Sequence, residues 1–188
     1  VVFVQGRVKE ESVVKMVEEV FATTVARLSR GCRESVAQVS GEEMVRTASY
    51  KKHTHQTHVM LGGRAYPLGH ERQLAMYLLN NILGGGSLNS LLNLSLREKH
   101  GLVYTVESNY TPLSDNGYWS IYFASDPENK EQCMALVKDE LRKLREQKLT
   151  ETQLKRALTQ LHGQMAISAE NQENNALRMG KQMLYFSQ

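Results

Sequence analysis

Residues 83–104 read LGGGSLNSLLNLSLREKHGLVY, a stretch that leaves one helical pattern, passes through another and ends in a strand. On its upstream side Leu74, Ala75, Leu78, Leu79 and Ile82 recur three and four apart, and Gly84, Gly85 and Gly86 stop the pattern. This spacing predicts a core helix with a broad buried face and a glycine exit. Inside the stretch, a second short helix over about residues 88–99 ends at Gly101, where a residue free to adopt positive φ turns the chain into a strand. On the downstream side Leu102–Tyr110 and Tyr118–Ser125 are strand-like runs joined by TPLSDNG. An antiparallel hairpin with a longer loop is expected.

The remaining elements follow from the same periodicities. Val1–Gln5 is β-branched and ends at Gly6, and Val13, Met16, Val17, Val20 and Phe21 then recur at helical spacing, so a strand should feed a helix from about Lys9. Ser29–Glu43 is polar with no sustained period and is read as a connecting stretch. THVMLGGRA, residues 57–65, is the best strand in an extended region, ended by Pro67–Gly69. Ser125-Asp126-Pro127-Glu128 places a capping residue before a Pro at the first helical position, opening a helix whose stripe is Met134, Val137, Leu141 and Leu144. Thr150-Glu151-Thr152-Gln153 is a capping box for a last helix, with Leu154, Leu158, Leu161 and Met165 on one face and a break expected near residues 169–174. Helix pairs interrupting hairpin-paired strands imply an α+β fold, a largely antiparallel sheet with helices packed on one face in a two-layer sandwich. One domain over residues 1–188 is expected, with residues 1–30 its leading strand and helix.

Composition narrows the function classes. A 188-residue chain with 41% hydrophobic and 23% charged residues suits one well-cored globular domain. No run approaches the roughly eighteen apolar residues of a membrane span. The opening has neither the basic start nor the apolar core of a signal peptide. Net charge is only +3, with Lys and Arg scattered among acids, which argues against a nucleic-acid partner. Cys32 and Cys133 match no disulfide or CxxC pattern, so free or buried thiols and a cytoplasmic location are expected. The chain opens without Met in an apolar run, from which an upstream part of the protein is expected.

Three constellations invite a chemical reading. His53, His55 and His58 lie within KKHTHQTH, but on a strand His53 and His55 point one way and His58 the other, so a regular strand cannot converge all three on one metal ion. His70-Glu71 lacks a second His at metal spacing, and neither HEXXH nor HXXEH occurs. Gly84–Gly86 follows a helix and is not succeeded by Lys-Ser/Thr, so it is a helix exit and no phosphate loop. No GxSxG occurs, and the cysteines carry no signature of an activated nucleophile. The third constellation is Arg97 and Tyr104. A helix–turn–strand corner at Gly101 can deliver both side chains to one place, and a guanidinium with a phenol can donate to a peptide carbonyl or to the oxyanion formed when it is attacked. The plainer alternative is that Arg97 complements the helix dipole and pairs with an acid while Tyr104 packs in the sheet.

VVFVQGRVKEESVVKMVEEVF, THVMLGGRAYPLGHERQLAMYLLNNILGGG and LREKHGLVYTVES, taken in order, resemble the C-terminal domain of one half of a pitrilysin/insulinase-type (inverzincin) zinc metallopeptidase. In that family an Arg and a Tyr seven residues apart reach into the catalytic chamber; Arg97 and Tyr104 match both identity and spacing. Where the family often has Ser-Ser-Arg-Leu after its glycines, this chain reads Asn89-Ser90-Leu91-Leu92, with Leu91 in place of the Arg. The resemblance implies a zinc-dependent metalloendopeptidase that hydrolyses peptides in a closed chamber. Arg97 and Tyr104 would serve as catalytic residues that bind substrate and stabilise the transition state. It also implies that zinc is held by HXXEH and a distal Glu in an N-terminal domain absent from this chain, so that this fragment binds no metal and is inactive alone. Implied partners are a peptide substrate and that N-terminal domain, in the same or a partner chain, in a homo- or heterodimer. An alternative within the resemblance is a noncatalytic structural or peptide-binding subunit.

Overall fold

A computed structural model describes residues 2–22, 46–52 and 54–186. The expected connecting stretch, Cys32 and His53 lie outside these residues. The chain divides into two compact units, residues 39–161 and residues 1–38 with 162–188, each described by itself.

The larger unit holds a three-stranded antiparallel sheet. β1 (Thr57–Ala65) pairs with β3 (Gly117–Ser125), which pairs with β2 (Val103–Pro112), giving the order β1-β3-β2. β1 and the hairpin fall where the alternation and the TPLSDNG turn predict them. The registers set Val59 opposite Phe123 and Leu61 opposite Ile121, and on the other side Val106 opposite Phe123 and Ser108 opposite Ile121. Because strand side chains alternate, these residues share one face, and this face is the covered one. Phe123 and Ile121 are fully buried there with Leu83 of α2 (Gln73–Gly84), Leu92 and Leu96 of the following helical turns, and Cys133 and Val137 of α3 (Lys130–Glu146). The opposite face carries His58, Met60, Tyr118 and Tyr122, with Met60 71% exposed. With α2, the helical turns after it and α3 packed on this face of the larger unit, the arrangement is the expected two-layer α+β one.

α2 has the predicted bounds but turns a different face inward. Leu74, Ala75 and Leu79 of the predicted stripe are exposed, Leu78 and Ile82 are half-buried, and Leu83 and Gly84 are the buried residues. The reason is a polar residue that can afford to face the sheet. Asn80 donates from Nδ2 to the Ser108 carbonyl at 3.0 Å and accepts from Ser108 Oγ at 2.6 Å, so its burial leaves no amide unsatisfied. Gly84 completes the contact, since a Cβ there would stand 2.7 Å from both Ser108 N and Ser108 Cβ.

The predicted start of the third helix is modified too. Pro127–Asn129 forms a 3-10 turn, α3 begins at Lys130, and Asp126 makes no side-chain cap bond. Cys133, missed by the predicted stripe, is buried and free, and burial pushes its thiol above the usual value. At Thr150 the capping box forms in full: Gln153 N–H donates to Thr150 Oγ1 at 3.2 Å and Thr150 N–H donates to Gln153 Oε1 at 2.8 Å. It opens α4 (Glu151–Glu170), whose predicted stripe is largely exposed at Leu154, Leu158 and Met165.

In the smaller unit, α1 (Glu10–Phe21) follows the predicted spacing, whereas residues 2–5 form no strand among the described residues. The break between α4 and α5 (Gln172–Phe186) falls at Asn171, inside the predicted window. Its side-chain oxygen accepts from the Asn174 N–H at 3.0 Å, the bond of a helix N-cap.

Candidate functional site

Arg97 and Tyr104 flank Gly101, and the corner that carries them is irregular on both sides. Upstream, residues Asn93–Lys99 are π-helical, a wide turn that is rare and frequent at functional sites. Leu92 and Leu96 anchor it, both fully buried, and Asn93 Nδ2 donates to the Leu88 carbonyl at 2.7 Å. The widened turn lets His100 Nδ1 reach the Ser95 carbonyl, 2.6 Å away. Arg97 falls in the last turn, exposed, where a cation complements the negative end of the helix.

Gly101 then adopts φ +62°, the left-handed region that a Cβ disfavours. Its N–H donates to the Arg97 carbonyl and the Leu102 N–H to the Leu96 carbonyl, both at 2.9 Å. The first is the bond of an αL cap, and two terminal carbonyls are thereby satisfied.

Downstream, Val103 pairs with Ser125 while Thr105 pairs with Ala124, next along β3. Tyr104 is therefore the surplus residue of a β-bulge, a device that re-aims a side chain out of the ladder. It is 58% exposed, and its hydroxyl donates to Asp126 Oδ1 at 3.0 Å. That hydrogen bond first, and the negative charge of Asp126 second, push the phenol above its ordinary pKa. The plainer alternative holds in part, since Arg97 stands at the negative end of the helix. Tyr104 does not pack in the sheet, and among the described residues Arg97 pairs with no acid. The corner places the two on one short segment without a bond between their side chains.

The other constellations resolve into structure. His58 lies on β1 and His55 precedes the strand, exposed. His58 Nδ1 is 2.7 Å from Tyr122 Oη, with the two rings stacked at 6.0 Å. Among the described residues no three His, Cys, Asp or Glu gather in a way that could hold a metal ion. Gly84–Gly86 is the exit of α2. Sequence reasoning missed the π-helical turn, the bulge and Asp126. The last had its own signal, since the hairpin brings the start of β2 beside the end of β3, where Asp126 follows.

A three-stranded antiparallel sheet with helices packed on its covered face places the larger unit in the α+β class. The family model described as peptidase M16 inactive domain matches residues 1–161, and the chain belongs to this family. A Streptomyces coelicolor protein named as an uncharacterized zinc protease is 32% identical over 98% of this chain and 40% of its own length. A Bacillus subtilis protein of like name is 33% identical over 71% of this chain and 32% of its own. The chain thus spans two-fifths or less of these two relatives. Among solved structures, a protease from Helicobacter pylori superposes with a TM-score of 0.72 at 18% identity, covering 96% of this chain and 44% of that one. A peptidase M16 inactive domain from Pseudomonas fluorescens gives 0.56 at 32% identity, covering 58% and 27%.

Proposed function

We propose that this domain is the substrate side of a zinc metalloendopeptidase, in which Arg97 and Tyr104 hold the peptide backbone and stabilise the charge that develops on the attacked carbonyl. The observation that carries this reading is the corner at Gly101. It offers two hydrogen-bond donors within eight residues, one with no partner among the described residues and the other re-aimed by a bulge. A guanidinium and a phenol donate to a carbonyl oxygen, and more strongly to an oxyanion. Donors whose bonds strengthen as charge develops on the carbonyl favour the transition state over the bound substrate.

Zinc does not fit the described residues of this chain, which lack a ligand cluster, so no step through the metal is assigned to them. In this reading the metal belongs to an N-terminal domain of the same or a partner chain, and the closed chamber forms between the two. No described helix is long and apolar enough to cross a membrane; a cytoplasmic setting is part of the proposal and rests on the cysteine usage. The deciding experiment is peptide turnover by full-length protein carrying Arg97→Ala or Tyr104→Phe. A loss of about tenfold to a thousandfold with an unchanged melting temperature is expected for removal of an oxyanion donor. Wild-type rates in both variants would return the domain to a noncatalytic, structural role.

A further inference from the structure

We infer that Asp126 is a positioning residue for Tyr104, the resting partner from which the phenol must be released before it can donate to a peptide. The inference rests on the reading of Tyr104 as a substrate donor. It begins with a proton count. A tyrosine hydroxyl has one hydrogen to give, and here it is given to Asp126 Oδ1 over 3.0 Å. An arriving carbonyl can receive it only if that bond opens.

Asp126 is built to hold its side. Pro127 follows it, and a residue before proline is confined to extended backbone; Asp126 has φ −64° and ψ 148° accordingly. Its carbonyl accepts from the Asn129 N–H and from Ser125 Oγ, each at 3.1 Å, and Ser125 is fully buried. Asp126 is half-buried as a residue and stands where an Asp ordinarily caps a helix N-terminus, yet it makes no cap bond. Its hydrogen bond goes to Tyr104 instead.

Tyr104 has no comparable support of its own. As the surplus residue of the bulge it lacks a ladder partner, and its ring is more exposed than covered. Asp126 therefore sets both where the phenol rests and how strong a competing acceptor must be. A neutral carbonyl competes poorly with a carboxylate, whereas an oxyanion is its equal in charge.

The test uses full-length protein depleted of zinc by chelation, so that bound peptide is not cleaved, with fluorescein-labelled tryptic peptides of casein as the probe. Asp126→Ala is expected to bind them about threefold to tenfold more tightly, the scale of one charge-assisted bond no longer in competition. In the Tyr104→Phe background the same change should do nothing. Weaker or unchanged binding in Asp126→Ala, or an equal effect in both backgrounds, overturns the inference, because loss of mere structural support cannot raise affinity through the phenol. In parallel, 3-fluorotyrosine labelling gives a fluorine resonance for Tyr104, assigned by its absence in Tyr104→Phe. That resonance should move in Asp126→Ala without peptide, and an unmoved resonance also overturns the inference. Wild-type peptide turnover by zinc-loaded Tyr104→Phe would instead sink the donor role of Tyr104, a different failure from the loss of its partner.

Discussion

Asp126 gives Tyr104 an unusual titration. The carboxylate accepts the phenol's hydrogen bond and repels the phenolate, so Tyr104 keeps its proton to higher pH than an ordinary tyrosine. The sign follows directly: replacing the charge by a neutral amide in Asp126→Asn brings the ionisation to lower pH. Ultraviolet difference titration against Tyr104→Phe should show the wild-type midpoint above that of Asp126→Asn, and the reverse order would contradict the pairing. Gly101 makes a second residue-scale prediction. At φ +62° with open space around it, Gly101→Ala meets no clash but carries the left-handed cost of about 1–2 kcal/mol, readable as a lower urea midpoint with unchanged slope. Gly101 was legible in the sequence as the turn from helix to strand, while Arg97 and Tyr104 were singled out by the family resemblance, and the role given to them is the one proposed above. The partner of Tyr104 was not. A hydrogen bond between positions 104 and 126 leaves no period to read, and Asp126 before Pro127 looked like a helix cap, the role its backbone still suits.

Elements were read well where local chemistry decides them and poorly where a surface must be chosen. The capping box at Thr150 and the cap at Asn171 are local, and both bonds form as their residue types dictate. Thr150→Ala should therefore cost about 1 kcal/mol of stability, measured by chemical denaturation. α2 shows the opposite case. Its sequence has apolar residues on more than one side, so periodicity identified a helix but could not say which side meets the sheet. The Asn80–Ser108 pair settles that, and it depends on β2, far along the chain. The close approach at Gly84 gives the sharper test. Gly84→Ala drives a methyl group into the β2 backbone at Ser108 and is expected to destabilise by about 1–3 kcal/mol, an overpacking cost. A neutral effect would mean that α2 can slide away from β2.

At the scale of the whole molecule, the chain is a peptidase M16 domain that spans two-fifths or less of the two relatives compared above. Metal analysis of the purified 188-residue chain is expected to find no stoichiometric zinc, and the full-length protein is expected to carry it. Zinc bound by the chain alone, with chelator-sensitive proteolysis, would refute the division of labour proposed above. The fold class was legible because helix pairs and a hairpin leave few ways to layer a sheet. The wide π-helical turn was not, since seven residues cannot display a period that differs only slightly from that of an α-helix. The strand order β1-β3-β2 carries a consequence for how the molecule comes into being. β2 and β3 are neighbours in sequence and can zip together early, while β1, made first, waits for β3 to be synthesised before Thr57 can meet Ser125. Loop-closure entropy opposes that late docking. Val106→Ala in β2 should thus slow refolding, whereas Val59→Ala in β1 should mainly hasten unfolding. Of the described strands, the first to be made is the last to find its place.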